Sequence, residues 1–323
     1  MDRIKPSSLR IVFMGTPDFA VPSLRILHEQ GYQIVGVVTA TDKLGGRGKN
    51  QLIASPVKHY AEQHNIPVLQ PTSLKSSKFL SKLRALKPDL QIVVAFRMLP
   101  EVVWNLPPLG TFNLHGSLLP KYRGAAPIHW AVIHGETKTG LTSFKLQQAI
   151  DTGNILLQRI VPISENDTTG TLYNRMKTIG AEVILQTVQV ISRGDYELFP
   201  QDNALASQAP KIFTDDAQVD FDQPTKAVYD FIRGMSPVPG AWTTLDEKVV
   251  KIYSAEVGPA SVNQYPGKIL TDQKSYLDIA TRDGSVRIKY IQMEGKRVMD
   301  VRTFLNGYTV KNQAIRTSVS EPS

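Results

Sequence analysis

Cysteine is absent from all 323 residues. That excludes disulfides, thiolate catalysis and thiolate-ligated zinc together, and it fits a reducing compartment. No run of roughly 18 apolar residues occurs, so no membrane-spanning helix is expected. The opening MDRIKPSSLRIVFMG has no long apolar stretch ending in a small-residue cleavage site. It reads as a first β-strand, and a cytoplasmic location is expected. Nucleotide and nucleophile signatures are missing too: there is no GxxxxGK[ST] phosphate loop and no GxSxG elbow. The turn Met14-Gly15-Thr16-Pro17-Asp18-Phe19 has one glycine where a dinucleotide fingerprint needs three. The six histidines lack metal-ligand spacing with carboxylates, so no metal is expected.

What is present is an ordinary globular composition, 41% hydrophobic and 20% charged, in a length that suits two domains. The net charge of +8 is unevenly placed. Residues 214–323 carry 14 basic and 14 acidic side chains, so the whole excess, 23 against 15, lies in residues 1–213. Lys43, Arg47, Lys49 and Lys58 form one acid-free cluster, and Lys75, Lys78, Lys82, Arg84 and Lys87 another. In the tail, residues 282–317 hold eight basic groups against three acidic ones, among them Arg287, Lys289 and Arg297. Such patches either attract a polyanion or are solvated faces.

The first two-thirds alternates short β-branched runs (Leu9–Met14, Tyr32–Val38, Ile66–Leu69, Leu90–Phe96, Gly110–His115) with helical segments. Asp18 is expected to cap the first helix, and Ser55-Pro56 to open another. This order predicts a doubly wound, Rossmann-like, mostly parallel α/β sheet over residues 1–193. Leu141–Leu146 and Ile155–Val161 read as a hairpin around Asp151-Thr152-Gly153, followed by a long helix from Thr169 to Ser192. Residues 194–213 read as a polar linker. Short strands with Pro/Gly turns over 214–323 predict a smaller, OB-like β-barrel.

The chemistry concentrates in Thr111-Phe112-Asn113-Leu114-His115-Gly116-Ser117-Leu118-Leu119-Pro120. Alternation along a strand puts Asn113 and His115 on one face, with Phe112 and Leu114 on the other. Two polar groups at the carboxyl end of an α/β strand lie where ligands bind in such sheets. They could equally be a buried pair that satisfies itself. Asp151 could be a plain Asx turn, or it could orient the imidazole and stabilise positive charge on it. Asn, His and Asp suit acyl transfer to an amine. A neutral amine needs no Ser or Cys nucleophile, whereas the oxyanion and the proton both need help.

The run Asn113–Pro120, then Tyr122-Arg123-Gly124-Ala125-Ala126-Pro127-Ile128, then Asp151-Thr152-Gly153, resembles the signature of folate-dependent formyltransferases. The resemblance implies that Asn113, His115 and Asp151 are the catalytic triad and that 10-formyltetrahydrofolate is the co-substrate. It places the folate in a crevice lined by Phe96, Arg97, Met98, Leu99, Ser117, Leu118, Leu119 and Pro120. The opening RIVFMGTPDFAVPSL, the loop GGRGKNQLIASPVK and Pro239-Gly240-Ala241-Trp242 are similar to the branch that acts on initiator methionyl-tRNA. That likeness makes Arg47 the main contact to the acceptor end, with Lys43 and Lys49 beside it. Arg287, Lys289 and Arg297 are then candidate tRNA contacts in the tail.

Two departures stand out. The family commonly has V-V-A-Y-G-x-I-L-P, whereas this chain reads Val94-Ala95-Phe96-Arg97-Met98-Leu99-Pro100, one residue shorter, as in glycinamide ribonucleotide formyltransferase. The C-terminal part is neutral where the family's is often basic. A formyltransferase for a small amine and a non-catalytic RNA-binding protein are the competing readings. The catalytic run argues against the second; the basic glycine loop and the extra β domain argue against the first. No membrane or obligate protein partner is expected.

Overall fold

The computed structural model describes residues 5–45, 51–260, 264–311 and 314–315. The chain divides into two compact units: 1–127 with 139–162 and 173–209, and 128–138 with 163–172 and 210–323.

The first unit is built on a seven-stranded sheet: β1 (Arg10–Gly15), β2 (Gln33–Val38), β3 (Val68–Leu69), β4 (Leu90–Val94), β5 (Thr111–His115), β6 (Lys138–Lys145) and β7 (Ile155–Pro162). Their order is β7-β6-β5-β4-β1-β2-β3. The pairs β1/β2, β1/β4, β2/β3 and β4/β5 are parallel, and β6 runs antiparallel to β5. The expected mostly parallel, doubly wound sheet is thus present. Its central strands β1 and β4 are buried throughout except at Arg10, because helices cover both faces of a parallel sheet. On one face Val12, Met14, Val38 and Val93 pack with Phe79 and Leu83 of α3 (Ser77–Ala85).

The order of strand addition reverses at β1: β2 and β3 are added on one side of it, and β4 and β5 on the other. A crevice therefore opens at the carboxyl ends of β1 and β4. The turn after β1 is narrow. A Cβ on Gly15 would lie 2.7 Å from the Ala20 Cβ and 2.9 Å from the Val94 carbonyl oxygen.

Asp18 does not cap the following helix. It starts a single 3₁₀ turn (Asp18–Ala20), and helix α1 (Val21–Glu29) begins with no side-chain cap. The carboxylate is taken instead by Tyr173, whose hydroxyl donates at 2.7 Å, and by Lys177 at 2.8 Å. Burial pushes the Asp18 carboxyl up, but these two bonds outweigh it and hold it below the ordinary range. Ser55 does cap α2 (Pro56–Gln63), accepting from the Lys58 amide at 3.1 Å. Residues 194–209 are part of this first unit, and they carry pairings rather than a free linker. Phe199 bridges Ile155, and Gln208–Ala209 pairs in parallel with Arg123–Gly124.

The second unit holds a curled, half-barrel antiparallel sheet: β8 (Ala241–Leu245), β9 (Lys248–Val257), β10 (Ile269–Thr271), β11 (Leu277–Ala280), β12 (Ser285–Met293) and β13 (Met299–Asp300). The path is β8-β9-β12-β11-β10, with β13 on β12. Asp246 and Glu247, at φ 47° and 65°, make the two-residue hairpin turn between β8 and β9. The sequence reading missed helix α7 (Thr225–Met235), whose Val228, Ile232 and Met235 face a core with Phe221, Ile252 and Ile288.

Candidate active site

β4 and β5 end side by side, with Val94 paired to Leu114, so their following loops (95–100 and 116–120) share one edge of the sheet. On β5, Phe112 and Leu114 are buried, and a Cβ on Gly180 of the long helix α6 (Thr169–Arg193) would lie 2.9 Å from a Leu114 methyl. Asn113 is half-buried, as the alternation requires for a residue on the opposite face. Among the described residues its carboxamide makes no hydrogen bond to protein, so its NH₂ is free to donate.

His115 is 6% exposed and held at both ring edges. Its Nε2 bonds the Tyr122 carbonyl at 2.8 Å. A carbonyl only accepts, which assigns the Nε2 proton and turns the Nδ1 edge toward Asp151. The Asp151 Oδ2 lies 3.6 Å from that Nδ1 and accepts from the Gly124 amide at 2.9 Å. Asp151 itself sits at φ 53°, in the left-handed region, at the head of a turn closed by Gly153. Of the three side chains singled out from sequence, His115 and Asp151 meet at the carboxyl end of β5, and Asn113 precedes His115 by two positions on the same strand.

The loop residues divide into two kinds. Leu99 and Leu119 are buried in packing, while Phe96, Leu118 and Pro120 are half-buried and Met98 is exposed. The backbone of residues 117–119 is pinned by groups that sequence reasoning did not find. Thr142 donates to the Ser117 carbonyl at 2.7 Å and accepts from the Leu119 amide at 3.1 Å. Gln158 Nε2 donates to the Leu119 carbonyl at 2.8 Å and to Thr142 Oγ1 at 3.0 Å. Arg97 folds back on the chain, donating to the carbonyls of Pro71 and Thr72.

Of the basic residues, Lys43 lies exposed on a short hairpin strand, and Arg47 and Lys49 fall outside the described residues. Arg297 is exposed. Arg287 and Lys289 are not free cations. Arg287 makes a two-pronged bond to Asp278, 2.7 Å from Nε and 2.8 Å from Nη2, and Lys289 lies 3.2 Å from Glu256. Asp278 is only 2% exposed, so Arg287→Ala strands a buried carboxylate. The expected loss is about 2–3 kcal/mol in denaturant unfolding, below a fully buried pair because Arg287 is a third exposed. An unchanged midpoint would return Arg287 to the list of available phosphate contacts.

Among the described residues no three His, Asp or Glu side chains gather as a metal site, and no helix is long and apolar enough to cross a membrane. Comparison with known proteins supplies the frame for this geometry. Residues 9–188 match the family described as formyl transferase, and residues 211–309 its C-terminal domain. A methionyl-tRNA formyltransferase of Parabacteroides distasonis is 53% identical over 315 residues, covering 94% of this chain and 97% of that protein. One of Porphyromonas gingivalis is 49% identical over 321 residues, covering 96% and 98%. Among solved structures, an N-formyltransferase from Helicobacter canadensis, bound to folinic acid and dTDP-3-aminofucose, aligns with a TM-score of 0.67. It is 23% identical and covers 87% of this chain and 98% of that one, a likeness of fold. HypX from Aquifex aeolicus with tetrahydrofolic acid aligns at 0.60 and 21% identity, covering 92% of this chain and 47% of that one. Two family matches that together span both units, joined to relatives near half identity over nearly the whole length, place this chain in the formyl transferase family.

Proposed function

We propose that this chain transfers the formyl group of 10-formyltetrahydrofolate to the amino group of methionyl-initiator tRNA, in the cytoplasm, for translation initiation. The observation that carries the reading is the His115–Asp151 couple at the carboxyl edge of the sheet, with the free Asn113 carboxamide two positions earlier on the same strand. The full-length relatives named for this acceptor support it. The folate derivative supplies an activated formyl group. Half-buried Phe96 and Leu118 and exposed Met98, in the two loops that follow β4 and β5, supply apolar side chains for its ring system.

The acceptor amine attacks the formyl carbon, and the carbonyl oxygen gathers negative charge. Asn113 donates to that oxygen. The intermediate then collapses as the bond from the formyl carbon to the folate nitrogen breaks, and the proton lost by the amine ends on that leaving nitrogen to give tetrahydrofolate. The imidazole, with Nε2 already donating to Tyr122, can hold a second proton at Nδ1 against the Asp151 carboxylate. Positive charge beside the oxyanion and a place for the moving proton are then supplied by one pair. Residues 1–193 act as the catalytic domain, and residues 214–323 help orient the tRNA, with Arg297 its available basic contact.

The deciding assay presents 10-formyltetrahydrofolate with initiator methionyl-tRNA, a non-initiator methionyl-tRNA and a small amino sugar. Formylation of the amino sugar at a rate matching the initiator tRNA would sink the reading. Arg47, a cation between glycines, is assigned to the tRNA along with Lys43 and Lys49. Arg47→Ala is expected to raise KM for the tRNA and lower the salt slope of tRNA binding by about one, leaving folate affinity unchanged. An equal loss of folate affinity by calorimetry would move this loop into the folate site.

A further inference from the structure

Asp151 stands in a backbone conformation that residues with side chains keep only where the surroundings over-determine it. The surroundings here reach it through Arg123 and its neighbour. The Gly124 amide donates to the Asp151 carboxylate at 2.9 Å, which anchors one oxygen but not the turn that carries it. The turn is held by Gln201. Its Nε2 donates to the Asp151 carbonyl and to the Gly153 carbonyl, both at 2.8 Å.

Gln201 is aimed in its turn. Its Oε1 accepts from Arg123 Nε at 3.1 Å and Nη2 at 2.7 Å, and the same Nη2 donates to Asn203 Oδ1 at 2.8 Å. Arg123 is 7% exposed, and its backbone amide donates to the Ser207 carbonyl at 2.8 Å. The position requires an acceptor toward the guanidinium and two donors toward carbonyls. A carboxamide meets both demands; a carboxylate of the same length meets only the first.

We infer that Gln201, aimed by Arg123, is a positioning residue for formyl transfer: it fixes the Asp151 turn so that the carboxylate stays against His115. This rests on the assignment of Asp151 and His115 to the reaction.

The test uses the full chain with 10-formyltetrahydrofolate and methionyl-tRNA. Gln201→Leu removes both donors. Gln201→Glu removes the donors but keeps the Arg123 contact, now as an ion pair. Each is expected to lower kcat about 10- to 100-fold, with KM for both substrates within about twofold. In an Asp151→Asn background, Gln201→Leu should cost less than about a further twofold, because the group it positions has already gone. If Gln201→Leu fails to fold, Gln201→Glu decides. Parental kcat in Gln201→Glu overturns the inference, as does a Gln201→Leu loss that simply multiplies with that of Asp151→Asn. Parental turnover in Asp151→Asn alone would overturn the underlying assignment instead, a separate and visible result.

Discussion

His115→Ala is expected to fold and to lose turnover by about 100-fold or more, and Asn113→Ala and Asp151→Ala to do the same. Each removes a different service. On the mechanism proposed above, Asn113→Ala deletes the NH₂ that donates to the developing oxyanion. Asp151→Ala removes the carboxylate 3.6 Å from Nδ1, and with it the stabilisation of charge on the imidazole. His115→Ala removes the charge and the proton site together. It also removes the bond from Nε2 to the Tyr122 carbonyl, a stability cost of about 1 kcal/mol. That cost appears in a thermal unfolding curve, whereas the catalytic loss appears in kcat under saturating substrates. If the proposed mechanism holds and His115 and Asp151 act as one unit, the double variant His115→Ala with Asp151→Ala should be little worse than either alone. Near-parental turnover in His115→Ala would end the mechanism given above.

The central strands of the first unit were legible because they are short β-branched runs largely buried on both faces, a pattern local to the run itself. Asn113 and His115 were legible for the same reason: a period of two places them without knowledge of any partner. Asp18 was misread because its preference for a cap competes with Tyr173 and Lys177, which lie more than 150 positions away. Residues 194–213 looked like a linker for a similar reason. Phe199 pairs with Ile155, and Ala209 with Gly124, so the stretch has order but no period of its own. Helix α7 was there to be found, since Val228, Ile232 and Met235 after Pro224 follow helical spacing. Charge counting could not see that Glu256 stands opposite Arg287 in the β9/β12 register, or that Asp278 flanks it on the other side. Counting gives the sum of charges, and the ladder decides which of them are free.

Gly153→Ala is the smallest change expected to disable the site. A Cβ built at Gly153 would lie 1.8 Å from the Lys145 carbonyl oxygen and 2.9 Å from both the Lys145 carbonyl carbon and a Phe144 ring carbon. The first of these is backbone at the end of β6, where Lys145 is in register with Phe112 and its amide donates to the Asn154 carbonyl at 2.9 Å. No flexible side-chain tip can yield, so the turn must move away from the strand by more than an ångström. The Asp151 carboxylate moves with it, as do the carbonyls that Gln201 holds. Strain from such overpacking costs about 1–3 kcal/mol of stability. A displacement near 1 Å at a reacting group costs about 100-fold in rate, or about 2.7 kcal/mol of barrier. The two effects are of similar size, so both must be read: the unfolding midpoint in denaturant, and kcat at temperatures where the variant is fully folded. Gly307→Ala is the matched control, because a Cβ there meets nothing within 4 Å. It should keep both midpoint and turnover. Were Gly153→Ala to keep parental kcat, the Asp151 turn would be far more forgiving than its contacts indicate, and the carboxylate would not need its present distance from His115.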